Sequence, residues 1–311
     1  MIYSNQYNDL ELDFHIPVLS HKAVEYLINP SLNDLIIVDG TTGGGGYSEI
    51  ICKQLQNPGK LICFDKDLNA LSFTQKRLSD CQVKIEFVNG NFGNLKEELN
   101  KSGINRVSGI VLDLGLSSYQ LEKEDGFSYM RDTSLDMRAD IRDRETASDL
   151  INSRPRRELE IIFSDYGEIG NAGRLADLIA DRRKRRKIET TGELIEVINS
   201  GYKLPKSGAY DFYSKIFQAL RIAVNNELEN LRSVLNDSLD ILEEGGRLVV
   251  VSYHSLEDRM VKNFMRDNKA TKKGDGKLKV LTKKPVIPCE EEIKANRRAR
   301  SAKLRAAEKI K

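Results

Sequence analysis

The chain has 311 residues, of which 40% are hydrophobic, and its 49 Lys and Arg against 47 Asp and Glu leave a net charge of only +2. That is a globular composition with apolar content for one large or two medium domains. No stretch approaches the ~18 apolar residues of a membrane span, and the polar, acidic N-terminus lacks a signal-peptide core, so a cytoplasmic protein is expected.

Four widely spaced cysteines (Cys52, Cys63, Cys81, Cys289) form no Cys-x-x-Cys pair, and His15, His21 and His254 have no metal-ligand spacing. Reduced thiols and no metal are expected. The charge is unevenly placed: Arg182 to Lys187 is an unbroken basic run, Lys272 to Lys284 holds a second cluster, and Arg297, Arg298, Arg300, Lys303 and Arg305 a third. One such run is commonly a solvated helix face, but three in a nearly neutral chain favour a polyanionic partner.

In chain order, residues 1 to 14 read as a tail, followed by a helix through Val24 and Leu27. Leu35 to Val38 is an aliphatic run suited to a strand buried on both faces, and it stops at Asp39. Gly43 to Gly46 then remove side chains where an amphipathic helix starts (Ile50, Ile51, Leu55), so a ligand can lie against bare backbone and a helix N-terminus. A second strand, Lys60 to Phe64, ends in Asp65, about 20 residues past the glycines, where a doubly wound sheet places the acid that binds ribose hydroxyls.

The loop lacks the Gly-Lys-Ser/Thr of a phosphate-loop NTPase and the Gly-x-Gly-x-x-Gly of a dinucleotide site, and Asp39 would repel a pyrophosphate. S-adenosyl-L-methionine fits better: it has no phosphate, it carries cationic amino and sulfonium groups, and its carboxylate suits a helix N-terminus.

Strands follow at Lys84 to Val88, leading to Phe92, and at Val107 to Leu112, ending in Asp113. Four strands alternate with three helices, so Asp39, Asp65, Phe92 and Asp113 share the rim at the strand ends, where α/β sheets bind ligands. Regular alternation then stops for about a hundred residues, against the 2 to 6 of an ordinary loop. Residues 126 to 138 are rich in Met, Phe, Tyr and charge, and helices follow at Ala147 to Ile151, Pro155 to Tyr166, Ala172 to Arg186 and Thr190 to Asn199, the last with a Thr190/Glu193 capping box.

Sheet building resumes with a helix near Phe212 whose apolar spacing runs to Leu242, then a strand at Arg247 to Ser252, then a helix opened by a Ser255/Asp258 capping box, with His254 at the rim. The chain thus divides into an α/β domain over 1–120, an inserted helical substrate-recognition domain over 121–210, and the rest of the α/β domain with a basic C-terminus over 211–311.

Several motifs resemble one family over nearly the whole chain: Val-Asp-Gly-Thr at 38–41 with Gly45 and Gly46, Leu-Asp-Leu-Gly-Leu-Ser-Ser at 112–118, Gly-Phe-Ser-Tyr-Met-Arg-Asp at 126–132, Leu-Asp-Met-Arg at 135–138, Phe-Gln-Ala-Leu-Arg-Ile-Ala-Val-Asn at 217–225, His-Ser-Leu-Glu-Asp-Arg at 254–259 and Arg-Ala-Arg-Ser-Ala-Lys-Leu-Arg at 298–305. The chain resembles the bacterial 16S ribosomal RNA cytosine-N4 methyltransferases. The resemblance implies a class I, Rossmann-like methyltransferase sheet with an inserted helical domain, S-adenosylmethionine as cofactor, and a decoding-region cytosine of small-subunit rRNA as substrate.

The family's cofactor contacts map onto Gly45, Gly46, Tyr47, Asp65, Phe92, Asp113 and Gln120. The family commonly has histidine at position 47 and proline at 119, where this chain has tyrosines. Asp113, with Leu114 to Ser118, is the candidate acceptor for the N–H bonds of the cytosine amine. A nicotinamide oxidoreductase would share the fold but not the glycine pattern, and a noncatalytic RNA-binding protein would not need acids at three strand ends. Carbon-5 methylation would need a cysteine at the rim, and the sequence places none there.

Overall fold

The computed structural model describes residues 17–115, 125–271 and 276–310. Gln120, Tyr119 and the 116–118 part of the candidate amine-acceptor loop lie outside the described residues, as does His15. Contacts divide the chain into two compact units, one formed by Met1–Ser117 with Leu228–Lys311 and one by Ser118–Glu227.

In the first unit, helix α1 (Ser20–Leu27) precedes β1 (Ile36–Asp39), α2 (Gly46–Gln54), β2 (Lys60–Asp65), α3 (Leu68–Arg77), β3 (Lys84–Asn89), α4 (Leu95–Lys101) and β4 (Val107–Asp113). The aliphatic runs become strands because both faces are covered: Ile37, Val38, Leu61, Ile62, Ile110 and Leu112 are fully buried. Asp67, unread in the sequence, caps α3 by accepting the Asn69 N–H at 2.8 Å.

The second unit contains α5 (Ala147–Ser153), α6 (Arg156–Ile161) running into a π-helical turn (Ile162–Tyr166), α7 (Ala172–Arg183), α8 (Thr191–Gly201) and α9 (Lys206–Asn225). The Thr190/Glu193 capping box is present. The stretch 126–138 is less open than its charge suggests. Phe127, Leu135 and Met137 are buried in it, and Asn225 clasps it, donating to the Met137 carbonyl and accepting the Ala139 N–H, each at 2.8 Å.

The helix expected from Phe212 to Leu242 is two helices. Asn226 adopts φ 50° and ends α9, and α10 (Glu227–Ile241) starts afresh. Ile216, Phe217 and Leu220 of α9 pack in the core of the helical unit, whereas Leu231, Val234 and Leu235 of α10 cover the sheet. Apolar spacing runs unbroken through the junction, so periodicity alone hides the break; asparagine tolerates the left-handed conformation that makes it.

Back in the first unit come β5 (Leu242–Ser252), α11 (Ser255–Asp267), β6 (Leu278–Val280), α12 (Glu290–Ala295) and β7 (Lys303–Lys309). The seven strands form one sheet in the order β3-β2-β1-β4-β5-β7-β6. The first five are parallel, and β7 pairs antiparallel with both β5 and β6.

Three expectations are corrected here. The basic C-terminal cluster is partly a strand interior, for Arg305 in β7 is buried and pairs with Asp258 at 2.6 Å. The capping box of α11 is one residue earlier than expected, between His254 and Glu257. The expectation of reduced thiols fails for Cys52 and Cys81, which form a disulfide between the end of α2 and the α3–β3 connection. Their Cα atoms are 5.8 Å apart, a proximity made by the crossover and carried by no spacing motif.

Candidate active site

The rim is built by the C-terminal ends of β1, β2 and β4, the segment after β3, and the β5–α11 turn. Gly40 lets the strand ends close in: a Cβ there would stand 2.5 Å from Leu112 Cδ2 and 3.6 Å from Phe92 Cβ. Phe92, partly buried, thus sits beside the tip of β1. Thr41 ties β1 to β4 by accepting the Asp113 backbone N–H on Oγ1 at 2.6 Å.

The glycine loop is held from below by α3. Thr74 Oγ1 donates to the Gly43 carbonyl and Arg77 Nη1 to the Gly44 carbonyl, each at 2.9 Å. Gly45 has φ +78°, and a Cβ on it would strike the Thr74 side chain at 2.8 Å; one on Gly46 would strike Pro17 at 2.6 Å. The loop therefore needs glycine for its packing as well as for any ligand. Gly46 and Tyr47 open α2, whose first-turn N–H groups have no intrahelical acceptor. The Tyr47 side chain is turned away into the core, with its hydroxyl donating to the Val18 carbonyl, so only its backbone faces the loop.

The three strand-end acids differ. Asp39 is buried and internally engaged: Oδ2 accepts from Ser48 Oγ at 2.6 Å and Oδ1 from the Thr41 N–H at 3.3 Å, and burial pushes its pKa up to about 6 despite these bonds. Asp65 accepts the Gly43 N–H at 2.7 Å on Oδ2 and the Asp67 N–H at 2.9 Å on Oδ1. It braces the loop while keeping acceptor capacity on both oxygens. Burial also raises its pKa.

Asp113 is the exception, with Oδ1 buried and without a hydrogen-bond partner. Burial pushes its pKa up to about 7 although the Tyr253 hydroxyl and the Gly115 N–H act to lower it, and the charges of Asp39 and Glu257 add to the rise. The Tyr253 hydroxyl, likewise buried without a partner of normal geometry, feels the Asp113 charge, and burial with that charge drives the phenol pKa upward. Gly115 makes room for the Tyr253 ring, since a Cβ there would come within 2.7 Å of it. A carboxylate and a phenol buried against each other at a strand-end rim, without a well-formed hydrogen bond between them, leave hydrogen-bonding capacity that a ligand can complete.

His254 stays at the rim, engaged on one side by the α11 cap while its Nε2 is buried without a hydrogen bond of normal geometry. Its Nδ1 accepts the Glu257 N–H, and its Nε2 lies 3.1 Å from Glu257 Oε1. The sequence did not single out Tyr253, Thr41, Thr74 or Arg77 as site residues. Thr41 stood inside a quoted motif and Tyr253 directly before one; Thr74 and Arg77 carried no signal, because their role is set by α3 passing beneath the loop.

The basic run on the second unit is largely engaged at home. Arg183 donates to the carbonyls of Ile151 and Arg154, Arg182 to that of Arg186, and Lys184 and Arg186 pair with Asp181 and Glu193.

A parallel sheet with a reversed seventh strand, a glycine loop opening the first crossover helix and acids at three strand ends define a class I S-adenosylmethionine-dependent methyltransferase. The residues fit that cofactor on the structure's own terms: an acceptor-rich, phosphate-averse rim, the Gly46 and Tyr47 N–H groups at a helix start, and Phe92 beside β1. A model of the MraW methylase family matches residues 13–310, and the chain belongs to that family. Two similar relatives are proteins named ribosomal RNA small subunit methyltransferase H: one from Clostridioides difficile (strain 630), 43% identical over 95% of this chain and 99% of that one, and one from Persephonella marina, 42% identical over the same shares.

Proposed function

We propose that this chain methylates the exocyclic N4 of a decoding-region cytosine in 16S rRNA of the small ribosomal subunit, a substrate that places it in the cytoplasm. The observation that carries the reading is the buried Asp113 carboxylate at the rim, whose Oδ1 makes no hydrogen bond of normal geometry and whose pKa burial raises to about 7. A cytosine amine has its lone pair drawn into the ring, so the site must accept its N–H bonds and take up the proton that nitrogen sheds as it is alkylated. A buried carboxylate poised near neutrality does both, and Asp113 Oδ1 is the atom for it. Bound S-adenosylmethionine supplies the electrophilic methyl group.

The other residues position and exclude water. Asp65 offers remaining lone pairs to ribose hydroxyls, Gly46 and the Tyr47 backbone offer N–H groups, Gly45, whose own N–H donates to the Thr42 carbonyl at 2.8 Å, leaves its surface bare of a side chain, Phe92 offers a ring face for the adenine, and Gln120 completes the set by family resemblance. Asp39 keeps the rim negative while staying bonded to Ser48.

The chemistry of the cysteines favours nitrogen over carbon 5. Cys63 is buried in β2, and burial pushes its thiol pKa up to about 12, so it does not supply the thiolate that carbon-5 addition requires. Cys52 and Cys81 are bonded to each other. Nucleoside mass spectrometry of small-subunit rRNA from a deletion strain and a complemented one tests the proposal. Loss of N4-methylcytidine is expected; unchanged N4-methylcytidine, or loss of 5-methylcytidine instead, would sink it.

A further inference from the structure

The sheet ends on the β7–β6 side in a cleft of about 690 Å³ between α11 and the last two strands. Its floor is apolar, with Met265 and Leu278 fully buried. Its walls are cationic: Lys262, Arg266 and Lys269 form one stripe along α11 and just past its end at i, i+4 and i+7, spanning about 10 Å, and Lys279 and Arg305 on the strands and Lys283 in the loop after β6 complete the lining.

Half of these charges are already neutralised. Arg266 pairs with Asp267 at 2.9 Å, Lys279 with Glu308 at 3.2 Å and Arg305 with Asp258 at 2.6 Å. Lys262, Lys269 and Lys283 are exposed and form no ion pair among the described residues. The contrast with the Arg182 to Lys187 run matters, because there most of the cations serve the fold. Three uncompensated ammonium groups over an apolar floor repel one another and gain most from a strong anion, since the low-dielectric floor weakens screening.

We infer that this cleft is a second docking site for RNA, gripping the phosphate backbone through Lys262, Lys269 and Lys283. The inference rests on the RNA substrate proposed above and says where, beyond the reacting nucleotide, that RNA is held. Charge complementarity selects the occupant. A polyanionic backbone meets a row of lysines without needing directional acceptors, whereas an acidic protein segment would have to supply side chains in register.

Position gives the cleft its role. Helix α11 starts at Ser255, directly after the rim end of β5, and runs back along the sheet, so Lys262 lies about 10 Å and Lys269 about 20 Å along that path from the rim. An RNA that touches both the rim and the cleft must extend beyond the target nucleotide and its neighbours. The enzyme would thereby prefer a structured RNA to a short oligonucleotide, without reading any base at the cleft.

The test uses the full chain with Lys262→Gln, Lys269→Gln and Lys283→Gln combined, small ribosomal subunits and purified 16S rRNA from a strain lacking the enzyme, and S-adenosylmethionine. These lysines are exposed, so the variant is expected to fold with cofactor affinity unchanged by calorimetry. Filter binding to both RNA substrates should weaken at least tenfold near 0.1 M salt. The slope of log affinity against log salt should shrink by about 2 to 3, one counterion per lost phosphate contact. KM for subunits should rise while kcat at saturation holds.

An unchanged salt slope and KM in the folded variant would overturn the inference. Binding lost to intact subunits but kept to purified 16S rRNA would overturn it too, by assigning the cleft to a ribosomal protein. The binding measurement does not depend on methyl transfer, so failure of the proposed reaction and failure of the cleft are read separately.

Discussion

Asp39 and Asp113 end neighbouring parallel strands, one residue type at two equivalent places, yet the fold uses them differently. Asp39 spends its oxygens on Ser48 and on the Thr41 backbone, so its charge is bound into the turn that shapes the glycine loop. Asp113 has its backbone N–H tied to Thr41 and its buried carboxylate set against the Tyr253 hydroxyl, with Oδ1 making no hydrogen bond of normal geometry. The half of the rim around β1 is a built scaffold; the half around β4 and the β5–α11 turn is an unfinished polar site. Unfinished sites mark chemistry, because a fold selected for stability alone would have paired or removed that oxygen.

The sharpest way to break this contrast is Asp113→Asn. Loss of the anionic acceptor and proton acceptor should cut methyl transfer by roughly 100- to 10,000-fold. The same change should stabilise the ligand-free protein at high pH. A carboxyl whose folded pKa of about 7 stands above its reference 3.8 contributes stability that is fully present below pH 4 and is lost as pH rises through 7. Asparagine carries no such loss, so the variant's melting temperature should match the wild type near pH 4 and exceed it at pH 8, by an amount on the order of a few kcal/mol in stability. A variant that is inactive but no more stable at pH 8 would mean that Asp113 is not buried at a cost.

Asp65 should lie between the two. Asp65→Ala removes a brace on Gly43 together with the acceptors offered to a ribose, and S-adenosylmethionine binding should weaken by about 1 to 3 kcal/mol by calorimetry, with the fold retained. Equal affinity in a folded variant would leave Asp65 a loop brace like Asp39.

Much of this site was legible before any coordinates. Aliphatic runs ending in Asp39, Asp65 and Asp113 specify strands buried on both faces, and a parallel sheet then dictates that their ends share a rim. What stayed hidden depends on contacts across sequence. The Asn226 break lies inside an unbroken apolar repeat, Lys303–Lys309 hides a strand behind its charges, and Ser255/Asp258 and His254/Glu257 are two overlapping capping patterns, of which the backbone at His254 takes the second. The Thr74 and Arg77 grip on the glycine loop follows from a helix crossing that no local pattern encodes.

Gly45→Ala probes the scaffold half directly. A left-handed alanine costs about 1 to 2 kcal/mol, and its methyl would press on Thr74, so both the melting temperature and cofactor affinity should fall modestly and together. Affinity lost with stability unchanged would show that the loop is shaped for the ligand more than for α3.

The smallest expected effect comes from the cysteines outside the disulfide. Cys63 packs at the centre of β2 with its Sγ 3.3 Å from Ser48 Oγ, and Cys289 is exposed at the start of α12. Direct attack by the cytosine amine needs neither thiol, whereas carbon-5 chemistry would stop without a nucleophilic sulfur. The Cys63→Ala, Cys289→Ser double variant, which leaves Cys52 and Cys81 intact, should lose little stability and keep kcat for small-subunit RNA within about twofold, since both changes lie outside the acceptor set that the amine needs. Activity abolished in this variant while its fold and cofactor affinity persist would place a thiol in the reaction and shift the methylated atom from nitrogen to carbon.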